Sequence, residues 1–172
     1  MSVSGLGCAL ISMHPALQAA RGLGFVAMLV CSAFWSPSSL RADEPAHRAL
    51  MRVVEGGDLA AARSLLEQGV NPNESDLPAL VAAAFDRNAA MVELLLSFGA
   101  DPNATHETNA MSALHYAASF GDTSIISMLL DAGASIELRT ATGETPLMLA
   151  ASIGQLSAVN LLLRNGAKPR TP

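Results

Sequence analysis

Three histidines follow Asp43 in this chain, His47, His106 and His115, and they are the first residues to test for chemistry. Ser112 stands three residues before His115, so a hydroxyl and an imidazole could share a proton there. A hydrolase would need that pair plus a third group to orient the base. His106 and its neighbour Glu107 are both metal-ligand types, but no Cys or His-x-x-x-His partner accompanies them. The stretch GADPNA (99–104) lacks the spaced carboxylates and the terminal Glu of a calcium loop. The glycines recur at intervals and do not gather into a phosphate cradle. No residue is assigned to catalysis, to a cofactor or to a metal.

The elements that position these side chains come from an internal repeat. Leu80, Leu114 and Leu147 are spaced by 34 and 33 residues, and Gly99, Gly133 and Gly166 by the same steps. Three aligned units begin PALVAAAF at 78, SALHYAASF at 112 and TPLMLAASI at 145. A weaker unit, RALMRVVEGGDLAAARSLLEQGVNPN (48–73), precedes them. Each unit reads as a helical hairpin. In the last, Thr145 is an N-cap candidate and Pro146 takes the first helical position, where its missing N–H costs nothing. Leu147, Leu149, Ala150 and Ala151 predict a short helix with a small-residue face, and Gly154 ends it. Val159, Leu162 and Leu163 predict one stripe of a second helix, with Leu161 beside them, and Gly166 suits a left-handed cap. Hairpins this short bury their apolar faces only by stacking on one another.

These residues resemble the ankyrin repeat. ETPLMLAASIGQLSAVNLLLRNGA follows that family's T-P-L-H-x-A-A, x-x-G and L-L-L-x-x-G-A pattern almost throughout, and the resemblance runs from about Pro45 to Pro169. It implies an all-α solenoid of stacked helix-turn-helix units with projecting β-turn fingers. The repeats fall at about 45–75, 76–106, 107–139 and 140–170, within a domain spanning 43–172. The repeat also reinterprets the Ser–His pair. Ser112 takes the slot of Thr145, and His115 takes the slot of Val81 and Met148, which demands no acid–base chemistry. The resemblance gives His115 a scaffold role, hydrogen bonding within or between repeats, and the chain is read as no enzyme.

Departures from the pattern carry further expectations. Arg48-Ala49 replaces Thr-Pro in the first unit and its first helix carries Arg52, as in a cap whose face meets water. Arg87 stands where the other units have Gly57, Gly121 and Gly154, a strain of about 1 kcal/mol if the turn needs φ > 0, unless Asn88 takes that conformation. The finger ADPNATHETNAMS has one extra residue and no counterpart of Gly143. Asn109 is its candidate left-handed residue, and the finger is expected to be the least regular and most mobile. The last unit lacks a polar cap, so its outer Leu and Ala side chains are either exposed or covered by a partner.

Residues 1–42 read as an export signal. Gly22–Trp35 is an uncharged, mostly apolar run after Arg21, followed by SPSSLRA. Cleavage is expected after Ala42, with Ala33 as the alternative, and a start at Met13 would give a compact basic region. An uncleaved inner-membrane anchor is the competing reading, although the run is shorter than the roughly 18–20 residues of a span. Both cysteines, Cys8 and Cys31, lie in this part, so the rest has no disulfide framework.

From Asp43 onward eight basic residues face 15 acidic ones. That balance is opposite to what nucleic acid needs and suits a basic protein partner. The resemblance locates partner contacts at finger tips and first-helix ends. In the second unit these are Glu74, Ser75, Leu77, Phe85 and Asp86; in the third, Thr108, Asn109, Met111, Ser119 and Phe120. In the fourth they are Ala141, Thr142, Glu144, Ser152 and Ile153. Phe85, Met111, Phe120 and Ile153 form either an apolar strip for a partner or packing between hairpins. The expected function is non-catalytic protein binding in the periplasm. The alternatives are an immunity protein that neutralises an envelope-targeted toxin or enzyme, and a membrane-anchored scaffold.

Overall fold

The structure is a computed structural model and describes residues 46–74 and 77–169. Among them are eight helices and no strand: α1 (Ala46–Glu55), α2 (Leu59–Glu67), α3 (Ala79–Phe85), α4 (Ala89–Ser97), α5 (Ala113–Phe120), α6 (Thr123–Asp131), α7 (Pro146–Ile153) and α8 (Leu156–Arg164). They pair into four hairpins. The first helices α1, α3, α5 and α7 stack in order, and the second helices α2, α4, α6 and α8 form a parallel row behind them. The chain is thus an all-α solenoid. Residues 1–45, with the expected leader and cleavage positions, and Ser75 lie outside the described residues.

Small residues set the spacing of the first row. Ala83, Ala84, Ala117, Ala118 and Ala150 are fully enclosed, so adjacent helices approach closely. Leu50, Leu80, Leu114 and Leu147 run through the core at one register, and Leu65, Leu95, Leu129 and Leu162 fill the second row. Side-chain oxygens start three of the second helices: Asp58, Asn88 and Asp122 each accept a first-turn N–H. Thr145 caps α7 with Pro146 inside the first turn, as expected. The α8 stripe differs from expectation. Ala158 and Leu162 are buried, Val159 and Leu161 are half-buried, and Leu163 faces out. In α7 the enclosed residues are Pro146, Leu147 and Ala150, while Ala151 is exposed, because no further hairpin among the described residues covers that side. Leu156, 74 % exposed, and Leu163 belong to this uncovered end.

Two turns depart from the sequence reading. Arg87 itself takes the left-handed conformation, φ 56°, as Gly57, Gly121 and Gly154 do. Asn88 gives no relief, because its side chain must accept the Met91 N–H at the start of α4 and its φ is −88°. In the long finger Ala110, φ 54°, is left-handed in place of Asn109. Asn109 Oδ1 accepts the Met111 N–H, a local turn that carries the reversal one residue further. The same finger is more regular than expected, with an antiparallel bridge between Thr105 and Ser112 and a hydrogen bond from His106 N–H to the Met111 carbonyl.

Side chains also lock one repeat to the next. Asn73 donates to the Gly99 carbonyl and accepts the Asp101 N–H, and Asn103 does the same with Gly133 and Ser135. At the third joint Glu137 Oε1 accepts the Lys168 N–H at 2.8 Å, while its buried Oε2 has no hydrogen-bond partner.

Candidate protein-binding face

His115 is the first test of chemistry, and its surroundings fix its role. Its Nδ1 accepts the Ser112 N–H at 3.1 Å and lies 2.8 Å from Ser112 Oγ, the reciprocal arrangement of a capping box. A backbone N–H can only donate, so Nδ1 carries no proton and the proton sits on Nε2. Nε2 then donates to the carbonyls of Leu138, at 3.0 Å, and Glu144, at 3.3 Å, in the next finger. Burial pushes the His115 pKa below the ordinary histidine value, against the smaller upward pull of these two carbonyls and the Glu144 charge. The Ser112–His115 distance alone would suit a nucleophile and its base. Both side chains are enclosed, however, at 1 % and 0 % exposure, and the second ring nitrogen meets backbone instead of a carboxylate. The pair joins two repeats and is closed to a substrate.

The open face lies at the C-terminal ends of the first helices. Glu55, Phe85, Phe120 and Ile153 are the last residues of α1, α3, α5 and α7. Counted from the core leucines, Glu55 and Phe85 stand five residues on and Phe120 and Ile153 six, so two adjacent repeat slots share this edge. Phe85 is 56 % exposed, Phe120 37 % and Ile153 55 %. The Phe85 ring meets Tyr116 edge to face at a centroid distance of 5.4 Å and Phe120 at 6.0 Å. Beside these rings is an open concavity of about 430 Å³. Buried Val81 and Ala82 supply its base, and Glu55, Asp86, Leu77 and His106 complete its lining. A larger hollow of about 520 Å³ lies between α6 and α8, lined mostly by hydroxyls and without an aromatic ring. It offers a partner less apolar area to bury.

The remaining expected contact residues divide by how their polar atoms are used. Asn109 is tied into the scaffold: its side-chain amide donates to the Tyr116 hydroxyl and its backbone carbonyl accepts the Ala141 N–H of the next finger. The Ser119 and Ser152 hydroxyls return to the Tyr116 and Leu149 carbonyls of their own helices. Thr142 donates to Glu144 at 2.8 Å across a finger tip. Thr108 is exposed, its N–H bonded to His106 Nδ1, and Met111 is half-buried on the same finger. Asp86 is the exposed C-cap of α3. Sequence reasoning missed Tyr116, His106 and Glu55. The first stands four residues before Phe120 on α5, so helical spacing carried its signal, and Glu55 holds in the first unit the slot that Phe85 holds in the second, so the repeat register carried the other. Among the described residues no group of three His, Cys, Asp or Glu could hold a metal ion, and no helix is long and apolar enough to cross a membrane.

Comparison with known proteins agrees with this architecture. The family profile described as ankyrin repeats (3 copies) matches residues 16–106 and 80–172. The first match begins inside the segment read as a leader, and Leu17 precedes Leu50 by 33 residues, one repeat step. The E3 ubiquitin-protein ligase KEG of Arabidopsis thaliana is 36 % identical over 77 residues, which is 45 % of this chain and 5 % of the ligase. The neurogenic locus Notch protein of Drosophila melanogaster is 38 % identical over 82 residues, 48 % of this chain and 3 % of its own length. The mouse nuclear factor NF-kappa-B p105 subunit is 32 % identical over 100 residues, 58 % of this chain and 10 % of its own. The chain therefore spans a tenth or less of each of these relatives. Through its repeat period, its capped hairpins and the profile that matches nearly its whole length, the chain belongs to the ankyrin repeat family.

Proposed function

We propose that this chain is a non-catalytic protein-binding module of the periplasm that holds its partner on the finger tips and the first-helix ends. The observation that carries the reading is the ring cluster of Phe85, Tyr116 and Phe120, which leaves 56 % of Phe85 in water beside an acid-lined concavity. Clustered aromatic side chains that remain exposed are costly to solvate and are typical anchors of a protein interface. A non-enzymatic role is supported by the enclosure of Ser112 and His115. Export is supported by the apolar run Gly22–Trp35 after Arg21.

The test is affinity capture from a periplasmic extract followed by mass spectrometry, run with the native chain and with Phe85→Ala/Phe120→Ala. A protein retained by the first and lost by the second is expected. Equal recovery by both would remove the ring cluster from the interface. A second reading is favoured by the profile match from residue 16: the leader-like segment stays on the mature protein. The intact mass of the purified cellular protein decides between a start near Asp43 and retention of residues 22–35.

A further inference from the structure

The geometry points to an arginine side chain as the anchor that the concavity beside α1, α3 and α5 receives from its partner, the guanidinium facing the Phe85 and Tyr116 rings and the carboxylates of Glu55 and Asp86. This rests on the binding role proposed for the same face. Three independent features favour a cation there. Glu55 and Asp86 both line the hollow and both are exposed, and no ion pair to either is found among the described residues. The nearby Arg87 is turned instead toward Asp122 of the following repeat, 3.9 Å away. Helices α1 and α3 end at Glu55 and Phe85, so the negative ends of two helix dipoles meet at this hollow. The exposed Phe85 ring, held edge to face against Tyr116, offers the electron-rich surface that attracts a guanidinium.

The apolar lining selects arginine over a smaller cation. Leu77, Val81 and Ala82 match the aliphatic stem, and the planar head stacks on a ring while bonding carboxylates in its own plane. A purely apolar side chain would strip water from Glu55 and Asp86 without replacing it. An acidic one would be repelled. His106 accepts the Thr108 N–H on Nδ1, so the neutral ring carries its proton on Nε2, a donor suited to a partner's backbone carbonyl.

Titration of the full chain with N-acetyl-arginine amide, followed by NMR resonances of Val81, Phe85 and Tyr116, tests the inference, with N-acetyl-leucine amide as the comparison. Saturable shifts are expected for arginine at roughly millimolar concentration, about fivefold tighter than for leucine. Glu55→Gln/Asp86→Asn should abolish that preference and leave the melting temperature unchanged. Leucine binding as tightly as arginine, arginine binding equally to the double variant, or no shift with either probe would each overturn the inference. A partner captured through Phe85 but indifferent to Glu55 and Asp86 would remove the arginine anchor and leave the binding role standing. A face that engages neither probe nor any partner removes both.

Discussion

His115 and Phe85 lie on neighbouring first helices, and both drew notice as side chains able to do chemistry or binding. The stack treats them oppositely. His115 is fully enclosed, and both ring nitrogens are spent on Ser112, Leu138 and Glu144. Phe85 ends its helix and leaves most of its ring in water, propped by Tyr116 and Phe120. Residue type did not separate them, but position in the repeat did. One register points between the hairpins, where a polar group must be satisfied. The other points off the helix ends, where an apolar ring is left for something else to cover.

The largest expected break of this contrast is His115→Ala. It leaves the Ser112 N–H and the Leu138 carbonyl without a partner, takes one of two donors from the Glu144 carbonyl, which keeps the Thr140 N–H, and opens a cavity, a loss of about 3 kcal/mol by urea denaturation. A variant as stable as the native chain would end the scaffold assignment. The same joint gives a pH signature. The folded state holds His115 neutral and its pKa lowered, so the unfolded chain takes up the proton first. This contribution is complete above about pH 6.5 and is lost as the pH falls from there toward the lowered folded value. Melting between about pH 7 and pH 5 should therefore fall less for His115→Gln than for the native chain. Equal slopes would show that protonation of the imidazole does not oppose folding.

Glu137 sharpens the contrast from the other side, as a buried polar group only half satisfied. Asn73 and Asn103 both accept and donate at their joints, whereas the carboxylate of Glu137 has no N–H for the second bond. Glu137→Gln supplies one and should raise stability by about 1 kcal/mol. A drop in the denaturation midpoint would contradict this. The smallest effect is expected at Arg87, the one first-to-second helix turn without glycine. Arg87→Gly relieves the left-handed strain, loses a weak surface ion pair and should gain roughly 0.5 kcal/mol. A loss greater than that would mean the contact with Asp122 outweighs the strain.

The solenoid was legible because its signals are local and repeated. Leucines, glycines and caps recur at one period, and each copy checks the others. The Ser112–His115 joint was legible for the same reason, since Thr145 and Met148 occupy matching slots. The departures arose where two local demands meet on adjacent residues. Asn88 and Asn109 are both good left-handed residues, yet each is committed to a side-chain bond with a following N–H, so Arg87 and Ala110 take the positive φ. Asn109 was read as a contact residue, but distant atoms claim its polar groups: the Tyr116 hydroxyl and the Ala141 N–H. The concavity itself joins residues of three hairpins and two fingers, and no single repeat contains enough of it to announce it.

The most direct test of this division of roles measures melting and partner binding together for two single variants. Phe85→Ala should cost no more than about 1 kcal/mol of stability and weaken binding of the captured partner at least about tenfold. His115→Ala, assayed where it is still folded, should bind as the native chain does despite its lower melting temperature. A folded His115→Ala that fails to bind, beside a Phe85→Ala that binds normally, would contradict the account.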